Sequence, residues 1–219
     1  MRILFMGDSV TDMCRQREVP DGIIFGYGHG HPFFVAEKLL KRSPSDFAIV
    51  NRGIGGDRTV DLWIRMNRKE IDVKKEMPDV VSLLIGINDI WRKYDDPKYG
   101  LNLDEFEKNY RLIIEKIISD APNAKIILNE PFALCCASTA LCGWDNFSKD
   151  VVEYSKKVQE LAKEYGLYFL PLQQILNDAE KKYGARYVLS DGVHPDVIGA
   201  SLVAEQWLKL FERDILSGK

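Results

Sequence analysis

The sequence is poor in the features that mark several protein classes. No run reaches the 18 apolar residues that would suggest a hydrophobic membrane span. The amino terminus opens directly on RILFMG, without the charged n-region, long apolar h-region and small-residue cleavage site of a secretory signal, so a cytoplasmic protein is expected. Cysteine is scarce. Cys14, Cys135, Cys136 and Cys142 are too few and too clustered for a disulfide framework. No C-x-x-C pair occurs, and the adjacent Cys135 and Cys136 are poor chelators, so no metal is expected and the thiols read as free and partly buried. Neither sign of charge dominates: 30 Lys and Arg stand against 33 Asp and Glu, scattered, with no basic stripe for nucleic acid. No repeat, low-complexity segment or linker interrupts the chain, and 46% hydrophobic content supplies a large core, so residues 1–219 are expected to form one domain. Histidine is limited to His29, His31 and His194, which narrows any search for a general base.

What is present is an alternation of strand and helix patterns. Segments 2–7 (RILFMG), 48–53 (AIVNRG), 79–86 (DVVSLLIG), 125–131 (KIILNEP) and 168–172 (YFLPL) are near-continuous apolar runs, the pattern of strands covered on both faces. Between them, Asn102 and Glu105 form a capping-box-like N-x-x-E, and Leu103, Phe106, Tyr110, Ile113, Ile114 and Ile117 follow at spacings of three and four. A second helix is expected over about 147–165, stopped by Gly166, and a last one after Pro195, a residue favoured in first helical turns. The alternation predicts a three-layer α/β/α fold around a parallel sheet of about five strands with right-handed crossovers.

In such a sheet, ligands bind outside the carboxyl ends of the strands. The loops expected there read GDSVTD after the first strand, GIGGDR (53–58) after the second, GINDIW (86–91) after the third, the long EPFALCCASTALCGW (130–144) after the fourth, and SDGVHPD (190–196) before the last helix. A serine nucleophile needs a base, and a histidine base needs a carboxylate to orient it. Ser9 is available, and His194 lies three residues after Asp191, so both can face one side of a turn. An oxyanion also needs donors: Gly56 can offer an unobstructed backbone N–H, Asn88 a side-chain amide, and Ser9 its own N–H. Each residue also has an ordinary reading. Ser9 can cap a turn, Asp191 can serve a D-G turn, and Gly56 and Asn88 can be plain turn residues. His29 and His31, in GYGHGHP, read as loop histidines.

Taken together, GDS at 7–9, GIGGD at 53–57, GIND at 86–89 and DGVHP at 191–195 resemble the four blocks of the SGNH (GDSL-type) hydrolase family, in the family's order and across most of the chain. The resemblance implies the flavodoxin-like fold of that family and no cofactor. It also implies Ser9 as nucleophile, His194 as general base and acid, Asp191 as its orienter, and Ser9, Gly56 and Asn88 as the oxyanion hole. GDSV departs from the name-giving GDSL only by a valine, a change of packing. The G-x-S-x-G elbow of the larger α/β-hydrolases is missing, so their mechanics do not carry over.

The stretches GDSVTDMCR and GINDIWRKYD are most similar to the intracellular acetylxylan and related carbohydrate esterases, which implies small acylated, saccharide-type substrates, with acetyl groups on xylo-oligosaccharides first among them, and allows a homo-oligomer. Trp91 and Trp144 at loop ends, with Tyr27, are candidate walls of the substrate site, although aromatics there are often core plugs. Short-chain lipid or thioester hydrolysis on the same machinery is the alternative, and a non-catalytic carbohydrate-binding role a further one. An aspartyl-phosphatase reading of DSVTD fails because Asp8 and Asp12 are four residues apart. A dinucleotide fold fails because no G-x-G-x-x-G follows the first strand.

Overall fold

In the computed structural model, which describes residues 1–217, five parallel strands form the central sheet: β1 Arg2–Gly7, β2 Ala48–Asn51, β3 Val80–Leu84, β4 Lys125–Asn129 and β5 Tyr168–Leu170. Their order is β2-β1-β3-β4-β5. The register runs Phe5 beside Asn51 on one side of β1 and Phe5 beside Ser82 on the other. The predicted strands are all present, but four of them end two residues early. Gly53, Ile85, Gly86, Pro131, Pro171 and Leu172 lie beyond the ladder, in the loops along the carboxyl edge, whereas the Arg52 and Glu130 N–H groups still make its last bonds, to the Phe5 and Leu170 carbonyls at 2.8 and 3.0 Å.

The α-helices are α1 Ser9–Asp12, α2 His31–Arg42, α3 Thr59–Asn67, α4 Val73–Glu76, α5 Ile87–Asp95, α6 Leu103–Asp120, α7 Ala137–Leu141, α8 Trp144–Tyr165, α9 Gln173–Tyr183, α10 Ala185–Val188 and α11 Val197–Leu210, the last continued by a π-helical turn, Phe211–Leu216. α2 packs with α11, and α3 packs with α6. Right-handed crossovers put these pairs on opposite faces of the sheet. The N-x-x-E signal at Asn102 is a complete capping box: Asn102 accepts from the Glu105 N–H at 2.9 Å and Glu105 returns the bond at 3.2 Å. Gly166 ends α8 in the left-handed conformation, at φ 65°.

Two expected helix starts are corrected. α8 begins at Trp144 rather than 147, since left-handed Gly143 (φ 77°) ends the loop and Trp144 stacks on Phe147 one turn later, 6.2 Å between centroids. α11 begins at Val197 after an Asp196 cap. Pro195 instead lies before the cap, in an isolated antiparallel bridge to Leu189. A buried polar cluster ties the layers: Ser82 Oγ in the middle strand accepts from Trp207 Nε1 and from Asn129 Nδ2, each at 3.0 Å. The strand order reverses at β1, so the crevice between the carboxyl ends of β1 and β3 is the topological switch point.

Candidate active site

The residue that ends β1 is followed at once by the switch-point turn. Asp8 caps α1 by accepting the Val10 N–H at 2.9 Å, which leaves Ser9 as the first helical residue, half-buried, with a backbone N–H that has no intrahelical acceptor. Ser9 Oγ lies 2.7 Å from His194 Nε2, although 185 residues separate them in the chain. His194 Nδ1 lies 2.7 Å from Asp191 Oδ2. An ionised carboxylate only accepts, so Nδ1 carries the ring proton and Nε2 is left to accept from the Ser9 hydroxyl.

Asp191 does two things with its two oxygens. Oδ1 accepts the backbone N–H groups of Val193 and His194, each at 2.9 Å, and so shapes the turn; Oδ2 holds the imidazole. Burial alone would raise the Asp191 carboxyl, but these bonds from the imidazole and the two amides outweigh it and bring the group down to about 2. The bond to Asp191 in turn raises His194 above the ordinary histidine value, against a smaller opposing effect of burial. The loop after β4 braces this turn from behind: Leu134 N–H donates to the Gly192 carbonyl at 2.9 Å and Ser138 N–H to that of Asp191 at 3.1 Å. Gly192, at φ 99°, has no room for a side chain, as a Cβ there would sit 2.1 Å from Thr139 Oγ1.

On the other side of Ser9 is the turn Ile54–Asp57. Gly56 sits at its third position with φ 85°, the conformation that a type II turn requires of glycine. Three N–H groups of this turn are engaged: Ile54 with the Gly7 carbonyl at 3.1 Å, Gly55 with Asp12 Oδ2 at 3.0 Å, and Asp57 with the Ile54 carbonyl at 3.3 Å. The Gly56 N–H has no acceptor among the described residues. Asn88, in the first turn of α5, donates one amide N–H to the Asp57 carbonyl at 3.0 Å and keeps its second without an acceptor among the described residues. The next residue, Asp89, is buried and accepts from Thr59 N–H and Oγ1, the latter at 2.6 Å, so the loops after β2 and β3 are joined twice. Burial pushes Asp8 and Asp89 up to about 7 against the bonds that favour their charged forms.

The structure therefore brings Ser9, Asp191, His194, Gly56 and Asn88 to one edge. The three aromatic candidates separate. Trp91 is beside the site, 6.5 Å between its ring centroid and that of His194 and edge-on to Phe147 at 6.2 Å. Trp144 is one aromatic step further out, half-buried on Phe147. Tyr27 is corrected: its carbonyl is held by Asn51 Nδ2 at 2.9 Å, and its buried ring lines a cleft with Arg2, Asp21 and Val50, toward the amino ends of β1 and β2 and away from Ser9. Of the loop histidines, His29 is exposed, whereas His31 is a core residue, edge-on to Phe5 at 5.4 Å and pulled down to about 3 by burial. The thiols of Cys136 and Cys142 lie near backbone carbonyls, and Cys14 and Cys135 are exposed. Among the described residues no helix is long and apolar enough to cross a membrane.

Two residues beside the site were not singled out from the sequence for it: Asp12, which holds Gly55, and Arg65, which holds Asp57. Arg65 did leave a signal. It falls between Leu62 and Met66 on the apolar stripe of α3, and an arginine there needs a buried anion.

Comparison with known proteins gives the family. The profile of the GDSL-like lipase/acylhydrolase family matches residues 5–202. The acetylxylan esterase of Geobacillus stearothermophilus is 32% identical, over 95% of this chain and 92% of its own. Its crystal structure superposes with a TM-score of 0.82, and alanine variants of it at one serine and at one aspartate are catalytic mutants of that enzyme. An isoamyl acetate-hydrolyzing esterase 1 homolog from Rattus norvegicus is 26% identical, over 99% of this chain and 83% of its own. With a family match across nine-tenths of its length and relatives that are esterases, the chain belongs to the GDSL-like lipase/acylhydrolase family and is a carboxylic ester hydrolase.

Proposed function

We propose that the protein cleaves small acyl esters, acetyl groups on xylo-oligosaccharides first among them, through an acyl-enzyme on Ser9. The observation that carries this reading is the unbroken pair of 2.7 Å contacts from Ser9 through His194 to Asp191, set beside the free Gly56 N–H and the Asn88 amide. Ser9 Oγ attacks the ester carbonyl while His194 Nε2 takes its proton. The carbonyl oxygen becomes an oxyanion facing the N–H groups of Ser9, Gly56 and Asn88. Collapse breaks the ester bond, and His194 returns the proton to the departing alcohol oxygen. Water then repeats the two steps on the acyl-enzyme and releases the acid. The named side chains and the backbone N–H groups of Ser9 and Gly56 handle every proton and charge in these steps, so none of the steps needs a cofactor.

The pH dependence follows from the geometry. His194 must be neutral to accept the serine proton, and Asp191 raises its pKa above the ordinary value near 6.5. The acid limb of kcat/KM for p-nitrophenyl acetate is expected to have its midpoint above pH 6.5, with activity rising as pH passes through it. In Asp191→Asn the ring loses the partner that favours its proton, so the midpoint moves to lower pH and the maximum rate falls. A limb that stays in place in that variant would show that another group titrates.

Saccharide substrates are supported by the relationship to the Geobacillus enzyme and by Trp91, backed by Phe147 and Trp144, as an apolar shelf beside His194 on which a sugar ring can lie. The rat relative's name supports a second reading, acetate esters of simple alcohols. A panel of acetylated xylo-oligosaccharides, isoamyl acetate, lysophospholipid and acyl thioesters separates these. The expected order places the acetylated oligosaccharide first in kcat/KM; a higher value for any other member would reassign the substrate. Labelling of Ser9 by a fluorophosphonate is expected, whereas a non-catalytic binding protein would stay unlabelled.

A further inference from the structure

Asp57, the residue after the Gly56 donor, is held in a way that is unusual for a loop residue. Its side chain is 9% exposed and ion-paired with Nη1 of Arg65, which is itself 9% exposed. Arg65 Nη2 donates to the Arg52 carbonyl at 2.9 Å. One guanidinium therefore grips both ends of the loop that leaves β2, at residues 52 and 57. A buried ion pair gives little net stability, because desolvation of the two charges offsets their attraction. Its effect here is geometric. With the Ile54, Gly55 and Asp57 N–H groups engaged, the turn can project only the Gly56 N–H. The Asp57 carbonyl, four covalent bonds from the gripped carboxylate, is also the acceptor that orients the Asn88 amide.

We propose that Arg65 is a positioning residue of the oxyanion hole: by spanning the Arg52 carbonyl and the Asp57 carboxylate it aims the Gly56 N–H directly and the Asn88 amide through the Asp57 carbonyl. The inference rests on the roles given to Ser9, Gly56 and Asn88 above. Arg65 touches none of the reacting atoms. It acts by keeping two donors within the narrow range in which they stabilise a developing oxyanion, about 2.7 to 3.1 Å, and a misplacement of about 1 Å can cost on the order of 100-fold in rate. Lysine cannot replace it, since an ammonium is a single point that cannot grip two acceptors in fork geometry.

The test is a double-mutant cycle on full-length protein with p-nitrophenyl acetate, with active sites counted by fluorophosphonate titration. Asn88→Ala alone is expected to lower kcat about 100- to 1,000-fold. Arg65→Lys is expected to lower kcat about 10-fold and Arg65→Met about 30-fold, with KM within about twofold, because the lost contacts matter only once the oxyanion forms. In the Asn88→Ala background the cost of either Arg65 change should shrink at least about threefold, since one of the two donors that Arg65 aims is already gone. A purely structural arginine would lower the melting temperature but leave kcat per titrated site unchanged, or cost the same factor in both backgrounds; either result overturns the proposal. If Arg65→Met does not fold, Arg65→Lys carries the cycle. If Asn88→Ala keeps the wild-type kcat, the oxyanion-hole reading itself fails, and the inference about Arg65 with it.

Discussion

Ser9→Ala is expected to reduce kcat for p-nitrophenyl acetate by at least about four orders of magnitude, and to abolish fluorophosphonate labelling, while leaving the melting temperature nearly unchanged. The size follows from the loss of covalent catalysis: without Oγ, water must attack the ester directly, and only the donors at Gly56, Asn88 and the residue-9 backbone remain to stabilise the oxyanion. Stability should be spared because Oγ makes one hydrogen bond, to His194 Nε2, at a half-buried position, and the turn around it is built by Asp8 and the backbone. The comparison that matters is rate per folded molecule, measured beside a thermal melt. A near-normal rate from folded Ser9→Ala protein would remove Ser9 as nucleophile.

The second large effect is expected for His194→Gln, about three to five orders of magnitude in kcat. Glutamine can still hydrogen-bond but cannot take a proton from Ser9 at neutral pH, so both the activation of the serine and the protonation of the leaving alcohol are lost. Two readouts distinguish this from loose packing. The rise of kcat/KM through the His194 pKa should vanish from the pH profile, replaced by a slow rate that climbs with hydroxide. Esters with activated leaving groups, which need no protonation, should lose less than alkyl esters. A variant that keeps the wild-type acid limb would show that another base serves Ser9. Because Asp191 takes the Val193 and His194 N–H groups on a separate oxygen, the turn should survive the change of side chain.

Much of this site is legible because Ser9, Gly56 and Asn88 stand in blocks directly after strands, where a continuous apolar run breaks into Gly, Asp, Ser and Asn, and Asp191 and His194 share one short block before the last helix. The apolar runs located β1 to β5, and the N-x-x-E signal placed the start of α6 to the residue. Aromatic candidates are less legible. Tyr27 and Trp91 look alike in the chain, each next to a Gly- or Asn-bearing loop, but Asn51 takes the Tyr27 carbonyl and turns that ring beneath β2, while α5 carries Trp91 to the side of His194. His31 sits in a Gly-rich stretch that reads as exposed, yet it packs on Phe5 because α2 begins there and its first turn is pressed against the sheet. The support of the oxyanion loop was also hidden. Asp12, Asp57 and Asp89 read as ordinary acids of turn motifs until Gly55, Arg65 and Thr59 are brought to them from other segments.

The alternation of strand and helix, the α/β class, and the residues able to supply a nucleophile, a base, its orienter and two oxyanion donors are written in the chain. Those properties depend on local periodicity and on the chemistry of side chains, which the chain carries whether folded or not. It took the fold to stand Ser9 and His194, 185 residues apart, 2.7 Å from one another, to leave the Gly56 N–H as the one in its turn without an acceptor among the described residues, and to bring Arg65 behind that loop. Those facts depend on strand order, because reversal at β1 gathers the loops after β1, β2 and β3 around one crevice, and no pattern of neighbours along the chain encodes the distances across it.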